Sequence, residues 1–227
     1  MVNDGILLLC LINFGFIALL PRKFFKQGAK LGAHFWMTAA PLFACPAFLG
    51  LAKIGILPPI IGNDTPWGEV SVLIGVCFAT LSILLLGMAI GTHRVPLHMF
   101  HDQADSSVSH LVTYGPYRYI RHPIYASYLL ALVAGFLCCL QIGTLLCLAY
   151  GLIVLNRTAA QEEQRLSQSS EFGPEYAQYM KESGRFLPPL HALRLSEPQA
   201  KNEAERGEPQ QKKVAESSAS SSAQAER

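Results

Sequence analysis

Charge is scarce over most of this chain. Of 18 basic and 16 acidic side chains, only 13 in all fall within residues 1–156, and the rest crowd the last 71 positions. The mean hydropathy of +0.28 therefore averages a very apolar two-thirds with a polar C-terminal part. That front part excludes a soluble globular domain, because uncharged runs long enough to enter or cross a bilayer recur through it. A strong charge of either sign is also missing: a net +2 gives no nucleic-acid signal. The six cysteines (Cys10, Cys45, Cys77, Cys138, Cys139, Cys147) show no CxxC or zinc-ligand spacing and all sit in apolar runs. They read as small buried hydrophobes and imply no disulfide framework. The N-terminus lacks the basic region and small-residue cleavage site of a secretory signal and carries Asp4 instead, so a retained first helix is expected. No internal repeat is present.

What is there is a series of apolar segments. Gly5 to Leu20 is uncharged and would be about 24 Å long as a helix, slightly short for a ~30 Å hydrocarbon core. Residues 34–57 form a second segment with Pro41 and Pro46, which should kink it, and Lys53, which can snorkel toward a surface. Val70 to Ile90 is the cleanest span. Ile124 to Leu155 carries no formal charge over 32 residues, too long for one pass and short for two. A tight hairpin turning at Gln141, Ile142 and Gly143 fits best, each leg extended on the cytosolic side.

Basic residues orient these passes, since short cytoplasmic loops are rich in Lys and Arg. Arg22, Lys23, Lys26 and Lys30 follow the first segment; Arg94, Arg118 and Arg121 lie between the third and fourth; Arg157 follows the last. The loop between the second and third has only Asp64. Five helices with the N-terminus outside put every basic segment in the cytosol. The expected architecture is an all-α polytopic membrane domain over residues 1–195, its last two helices a hairpin. The Glu-, Gln-, Lys-, Ser- and Ala-rich residues 196–227 are expected to be disordered.

Chemistry concentrates in His110 to Tyr125, which reads H-L-V-T-Y-G-P-Y-R-Y-I-R-H-P-I-Y. Tyrosines, arginines and histidines stand where a cytosolic loop enters a membrane helix; Gly115-Pro116 suits a turn, and Pro123 suits a helix's first position, where no N–H is needed. An interfacial belt of Tyr and Arg is the structural alternative. Glu162-Glu163 lies just past the last apolar leg, on the side where cations are favoured, and asks for a cationic partner; a solvated helix face is the alternative there. Phe172-Gly173-Pro174-Glu175-Tyr176 marks a turn between short helices. Five of seven histidines fall in residues 93–122, with His98 and His101 beside Asp102. That spacing alone is ordinary for an interface, and no metal is expected. His34 and His191 read as surface or helix-end residues.

These features, in this order, resemble the superfamily of isoprenylcysteine carboxyl methyltransferases and phospholipid methyltransferases, which are integral membrane enzymes. The resemblance spans residues 109–189. It rests on Leu111-Val112-Thr113, Gly115-Pro116-Tyr117, Arg121-His122-Pro123 with Tyr125, Glu162-Glu163, Phe172-Gly173 with Glu175-Tyr176, Tyr179, and Pro188-Pro189. It implies methyl transfer from S-adenosylmethionine, held in a cytosolic pocket by Ser109, His110, Leu111, Val112, Tyr117, Arg121, His122, Pro123, Ile124, Tyr125 and Glu162. Arg157 and Glu163 are the implied catalytic pair. Aromatic faces attract a sulfonium, and a carboxylate can pair with the cofactor's ammonium.

The implied acceptor is lipophilic and enters from the membrane. The carboxylate of a prenylated cysteine leads, with a phospholipid amine or a small lipophilic thiol as alternatives; membrane lipids are the remaining partners, and no protein or nucleic-acid partner follows. The membrane would be the endoplasmic reticulum in a eukaryote or the inner membrane in a bacterium. One spacing departs from the isoprenylcysteine branch, where an arginine precedes the first glutamate by four residues. Here Arg157 precedes Glu162 by five, which turns it by about 140° instead of about 40° on a helix. Membrane sterol reductases, NADPH enzymes, share an R-H-P-x-Y-like entry, but they place Asn before that Tyr and Gly-Asp after it. This chain has Ile124, then Ala126-Ser127. A non-enzymatic protein on the same frame is a further alternative, against which the intact motif residues speak.

Overall fold

The computed structural model describes residues 4–24, 33–62, 65–92, 111–169 and 173–189, without the side chains of 19–24 and 33–35. Six α-helices appear among them: α1 (Asp4–Phe24), α2 (Ala33–Lys53), α3 (Pro66–Thr92), α4 (Pro123–Cys139), α5 (Ile142–Ser167) and α6 (Gly173–Glu182). A short 3-10 turn, Gly115–Arg118, precedes α4. The described residues contain no strand, only an isolated parallel bridge between Ile120 and Gly184. Ser109, His110, His98, His101, Asp102, Phe172, His191 and the tail 196–227 lie outside the described residues.

The all-α expectation holds. Two helices, α3 and α5, are long and apolar enough to cross a membrane. Their packing inverts the arrangement of a water-soluble bundle. The buried face of α3 is Gly68, Ser71, Gly75, Ala79, Ser82, Leu86 and Ala89, nearly all small, at spacings of three or four. Its large residues, Leu73, Leu81, Leu84 and Met88, are exposed. Helices in lipid gain nothing from hiding large apolar groups, and small residues let backbones approach. A Cβ on Gly75 would lie 2.7 Å from Cys138 Sγ and 3.2 Å from the Cys138 backbone nitrogen. The α3–α4 contact is therefore close to backbone-on-backbone.

Polar groups tie the same helices together. The Ser82 hydroxyl lies 2.7 Å from the Ser127 carbonyl oxygen and 3.1 Å from Asn13 Oδ1. Asn13 in turn donates to the Ala79 carbonyl at 3.3 Å. Ser71 donates to the Leu137 carbonyl at 2.7 Å. Buried polar groups need such partners, and in an apolar medium no water offers an alternative.

α2 runs through both prolines as one helix. Pro41 has no N–H to offer the Met37 carbonyl one turn earlier, and that carbonyl accepts instead from the Tyr150 hydroxyl of α5 at 3.1 Å. The helix break thus becomes an α2–α5 link. Lys53 ends α2 in a 2.6 Å ion pair with Asp4, the start of α1. α4 ends at Cys139, and Leu140 adopts a left-handed conformation (φ 42°, ψ 53°) before α5 begins at Ile142. The break falls one residue ahead of the expected Gln141–Gly143, because Gly143 is already helical and packs against the Phe48 ring. Five cysteines are buried as expected; Cys77 is the correction, exposed on the outer apolar face of α3.

Replacing Gly75 with leucine should force α3 and α4 apart and cost about 1–3 kcal/mol, the usual range for overpacking. Gly15→Leu is the control, since nothing lies within 4 Å of its added Cβ. Thermal unfolding in detergent should show Gly75→Leu destabilised and Gly15→Leu close to the parent.

Candidate active site

The approach to α4 is shaped by two residues with restricted geometry. Gly115 has φ +63°, and a Cβ there would collide with Thr92 Oγ1 at the end of α3. The adjacent Tyr114 hydroxyl reaches the Thr92 carbonyl at 3.3 Å. Pro116 then accepts from the N–H groups of Tyr119 and Ile120 at 3.2 and 3.0 Å, closing the turn. Pro123 is buried at the first position of α4, with His122 immediately before it as the cap.

A second segment completes this entry. After α6 the chain returns alongside residues 119–122: Gly184 N–H donates to the Tyr119 carbonyl (3.0 Å), Arg121 N–H to Gly184 (2.8 Å) and His122 N–H to Arg185 (3.1 Å). Tyr179 of α6 reinforces the junction by donating its hydroxyl to the Tyr117 carbonyl. Burial pushes that phenol up to about 12, against the lowering influence of Ser183 and Arg121. It stays a donor at every physiological pH.

This double entry surrounds Glu163. Its side chain is only 6% exposed, and its carboxylate receives Arg121 Nε at 2.8 Å and Arg185 Nη2 at 2.6 Å. Arg185 also donates Nη1 to Asn156 Oδ1 at 2.6 Å, one turn-pair earlier on α5. Arg121 Nη1 donates to the Met180 carbonyl at 3.1 Å and to the Ser183 carbonyl. Burial alone would raise the Glu163 pKa, but the nearby His122 imidazole and the hydrogen bonds from Arg185 and Arg121 prevail and hold it well below the usual carboxylate range. The carboxylate is ionised and fully engaged.

Glu162, its neighbour, is placed differently. It accepts from the Tyr125 hydroxyl at 2.7 Å, and its other oxygen is 3.5 Å from His122 Nδ1. It has no Arg or Lys partner among the described residues, and its side chain remains 40% exposed. His122 stands between the two acids, its Nε2 3.4 Å from Glu163 Oε1 without an aligned hydrogen bond. The imidazole stacks on Tyr125 at 5.4 Å and 7° and meets the Phe186 ring edge-on at 6.3 Å.

The structure thus brings together Arg121, His122, Tyr125, Glu162 and Glu163, with Pro123 and Ile124 supplying the helix start. Leu111, Val112 and Tyr117 are half-buried on the approach. Arg157 does not join them: it is exposed, and no hydrogen bond or ion pair ties it to this group among the described residues. It lies one turn beyond the exposed Ile153 on the outward apolar stripe of α5. Sequence reasoning missed Arg185, Asn156 and Phe186. The only signal was the position of Arg185 shortly before Pro188-Pro189 in a segment already bearing motif residues.

Residues 70–168 match the isoprenylcysteine carboxyl methyltransferase (ICMT) family. The ICMT match runs from the second turn of α3 to the end of α5, so it includes the entry turn, the Arg121-His122-Pro123 motif and both glutamates. It upholds the superfamily resemblance drawn from those motifs. No curated protein matches the chain. The matched family is one of carboxyl methyltransferases, and the match together with the two membrane-length helices points to a membrane methyltransferase. Arg185 lies beyond the matched ICMT segment.

Glu163→Gln leaves two guanidinium groups without their counter-ion and should cost about 3–5 kcal/mol, as when one member of a buried pair is removed. The sign with pH follows from the depressed pKa. The stability contributed by Glu163 is complete above the ordinary glutamate value of about 4.3 and is lost as pH falls toward the folded-state value. Denaturation from pH 6 downward should show a steep acid limb in the parent that is shallower in Glu163→Gln.

Proposed function

We propose that the protein transfers the methyl group of S-adenosylmethionine to a lipophilic acceptor that reaches the site from the bilayer. The carboxylate of a prenylated cysteine is the leading acceptor. One observation carries the cofactor assignment: of two adjacent acids, Glu163 is neutralised by arginines while Glu162 is left half-exposed with no Arg or Lys partner among the described residues. A carboxylate so placed, held in one rotamer by Tyr125, suits an ammonium ligand.

The residues present fit the cofactor. Glu162 would receive its amino-acid ammonium, and the Tyr125 and His122 rings offer faces to a sulfonium. Ser109, His110, Leu111, Val112 and Tyr117 would line the rest. When bound, S-adenosylmethionine supplies a methyl group on a positively charged sulfur, open to in-line displacement. Arg121 and Glu163 act on this site by positioning: they lock the segment that carries His122 and Tyr125. A carboxylate acceptor is already ionised, so no residue need remove a proton, and orientation with water exclusion does most of the catalysis.

Arg157, outward-facing beyond the lipid-exposed stripe of α5, is placed to meet a carboxylate whose tail stays in the bilayer. An amine acceptor would be repelled there. The topology we assign has five passes, α1 to α5, with α4 and α5 as a hairpin, the N-terminus outside and the C-terminus cytosolic. The pairing of residues 119–122 with 184–185 supports it, since that topology requires both segments on one side.

The test is transfer of labelled methyl from S-adenosylmethionine by purified protein to farnesylcysteine, phosphatidylethanolamine and a lipophilic thiol. Methylation of farnesylcysteine, lowered in Arg157→Ala, is expected; activity on phosphatidylethanolamine alone would reject the acceptor. Glu162→Gln should weaken S-adenosylmethionine binding by about 1.5–3 kcal/mol, the range for a hydrogen bond to a charged group. Calorimetric titration in detergent measures it, and an unchanged affinity would remove Glu162 from the cofactor site.

A further inference from the structure

The connection between α2 and α3 has a composition and a hydrogen-bonding pattern that water does not require. From Ile54 to Gly62 it carries no charged and no side-chain polar group. Ile54, Ile56 and Ile60 are each more than half exposed, at 67%, 62% and 58%. A loop in water normally solvates its backbone and buries such side chains. Here the opposite holds.

Every backbone N–H from residue 54 to residue 60 is either hydrogen-bonded within the protein or absent. Gly55 takes a left-handed conformation at φ 77°. Around it Ile54 donates to the Gly50 carbonyl, Gly55 to Ala52, and both Ile56 and Leu57 to Leu51, at 3.0–3.4 Å. This is the Schellman closure of a helix C-terminus. Residues 58 and 59 are prolines. Ile60 donates to the Leu140 carbonyl at 2.8 Å, and the Leu57 carbonyl accepts Gln141 Nε2 at 3.1 Å. Exposed apolar side chains on a backbone with its donors consumed are what a hydrocarbon environment demands of a non-helical segment.

We infer that residues 54–62 form an interfacial cap, lying along the bilayer surface with Ile54, Ile56 and Ile60 inserted at the headgroup–acyl boundary of that leaflet. The level is set by neighbours. The Lys53–Asp4 pair and exposed Glu69 mark the polar boundary at this end of the bundle. Trp67, 78% exposed on the first turn of α3, stands where indole rings prefer to sit. The cap also covers a thin place. α4 has 17 residues, about 25 Å at 1.5 Å per residue, so its link to α5 stops short of a ~30 Å hydrocarbon layer. Residues 57 and 60 bind that link directly. The occupant of this surface is lipid, and the inference stands apart from the methyltransferase reading.

The test places a nitroxide on a cysteine introduced at position 56 or 60 in a Cys77→Ser background, where the five remaining native cysteines are buried, with the full chain reconstituted in phosphatidylcholine vesicles and the unsubstituted background as the labelling control. Collision with oxygen, which concentrates in acyl chains, is compared with collision with a water-soluble nickel chelate. A ratio well above that of free nitroxide in the same buffer is expected at both positions. Dominant nickel collision would overturn the inference, and so would shielding from both reagents, which would mean that protein, such as a second copy, covers the cap. Trp67 fluorescence in Trp36→Phe provides a readout needing no cysteine change. Quenching by lipids brominated high on the acyl chain should exceed that by lipids brominated near its end; no quenching by either would also overturn it.

Discussion

A carboxylate cannot stay charged and buried without cations to hold it, and Glu163 has two, Arg121 from the entry to α4 and Arg185 from beyond α6. The desolvation cost of such a group is large enough that its partners must be brought in whatever backbone path that requires. The path taken here lays residues 184 and 185 beside 119–122 through three main-chain hydrogen bonds. Placement of His122 and Tyr125 depends on that junction, and so does the half-exposed setting of Glu162. Two neighbouring residues of one type thereby acquire different environments, one sealed by arginines and one left half-exposed.

The apolar part of the chain obeys another constraint. Lipid offers no reward for burying large side chains, so α3 meets its neighbours mostly through Gly, Ala and Ser and sends Leu73, Leu81, Leu84 and Met88 outward, while Leu42, Leu49, Leu132 and Leu155 fill the core between the other helices. Polar side chains are spent where the backbone or a neighbouring helix has an unmet need: Tyr150 on the carbonyl stranded by Pro41, Ser82 between α1 and α4. The α2–α3 cap extends the same economy to a loop.

Much of this was legible in the sequence because it is written locally. Uncharged runs give helices, Gly115-Pro116 a turn and Pro123 a helix start, since each follows from the residue's own stereochemistry. The adjacent acids announce a need for cations. What sequence could not show is which cations answer. Arg185 is 22 residues from Glu163 and reaches it only through a chain reversal that no single residue marks. Arg157, close in sequence, is turned outward by one residue's worth of helical rotation. The left-handed Leu140 was hidden for a similar reason: a leucine there is set by the link's ties to Ile60 and Leu57, not by its own preference.

The main-chain pairing of residues 119–122 with 184–185 also orders events during synthesis. A membrane helix can enter the bilayer as soon as it is made, but this site needs a strand-like partner more than sixty residues downstream. Long-range closure of that kind comes late and slowly compared with helix formation. Arg121 and Glu163 must therefore wait without their full set of partners until the chain has passed Arg185. A translating ribosome thus delivers the apolar helices first and completes their buried charge cluster last.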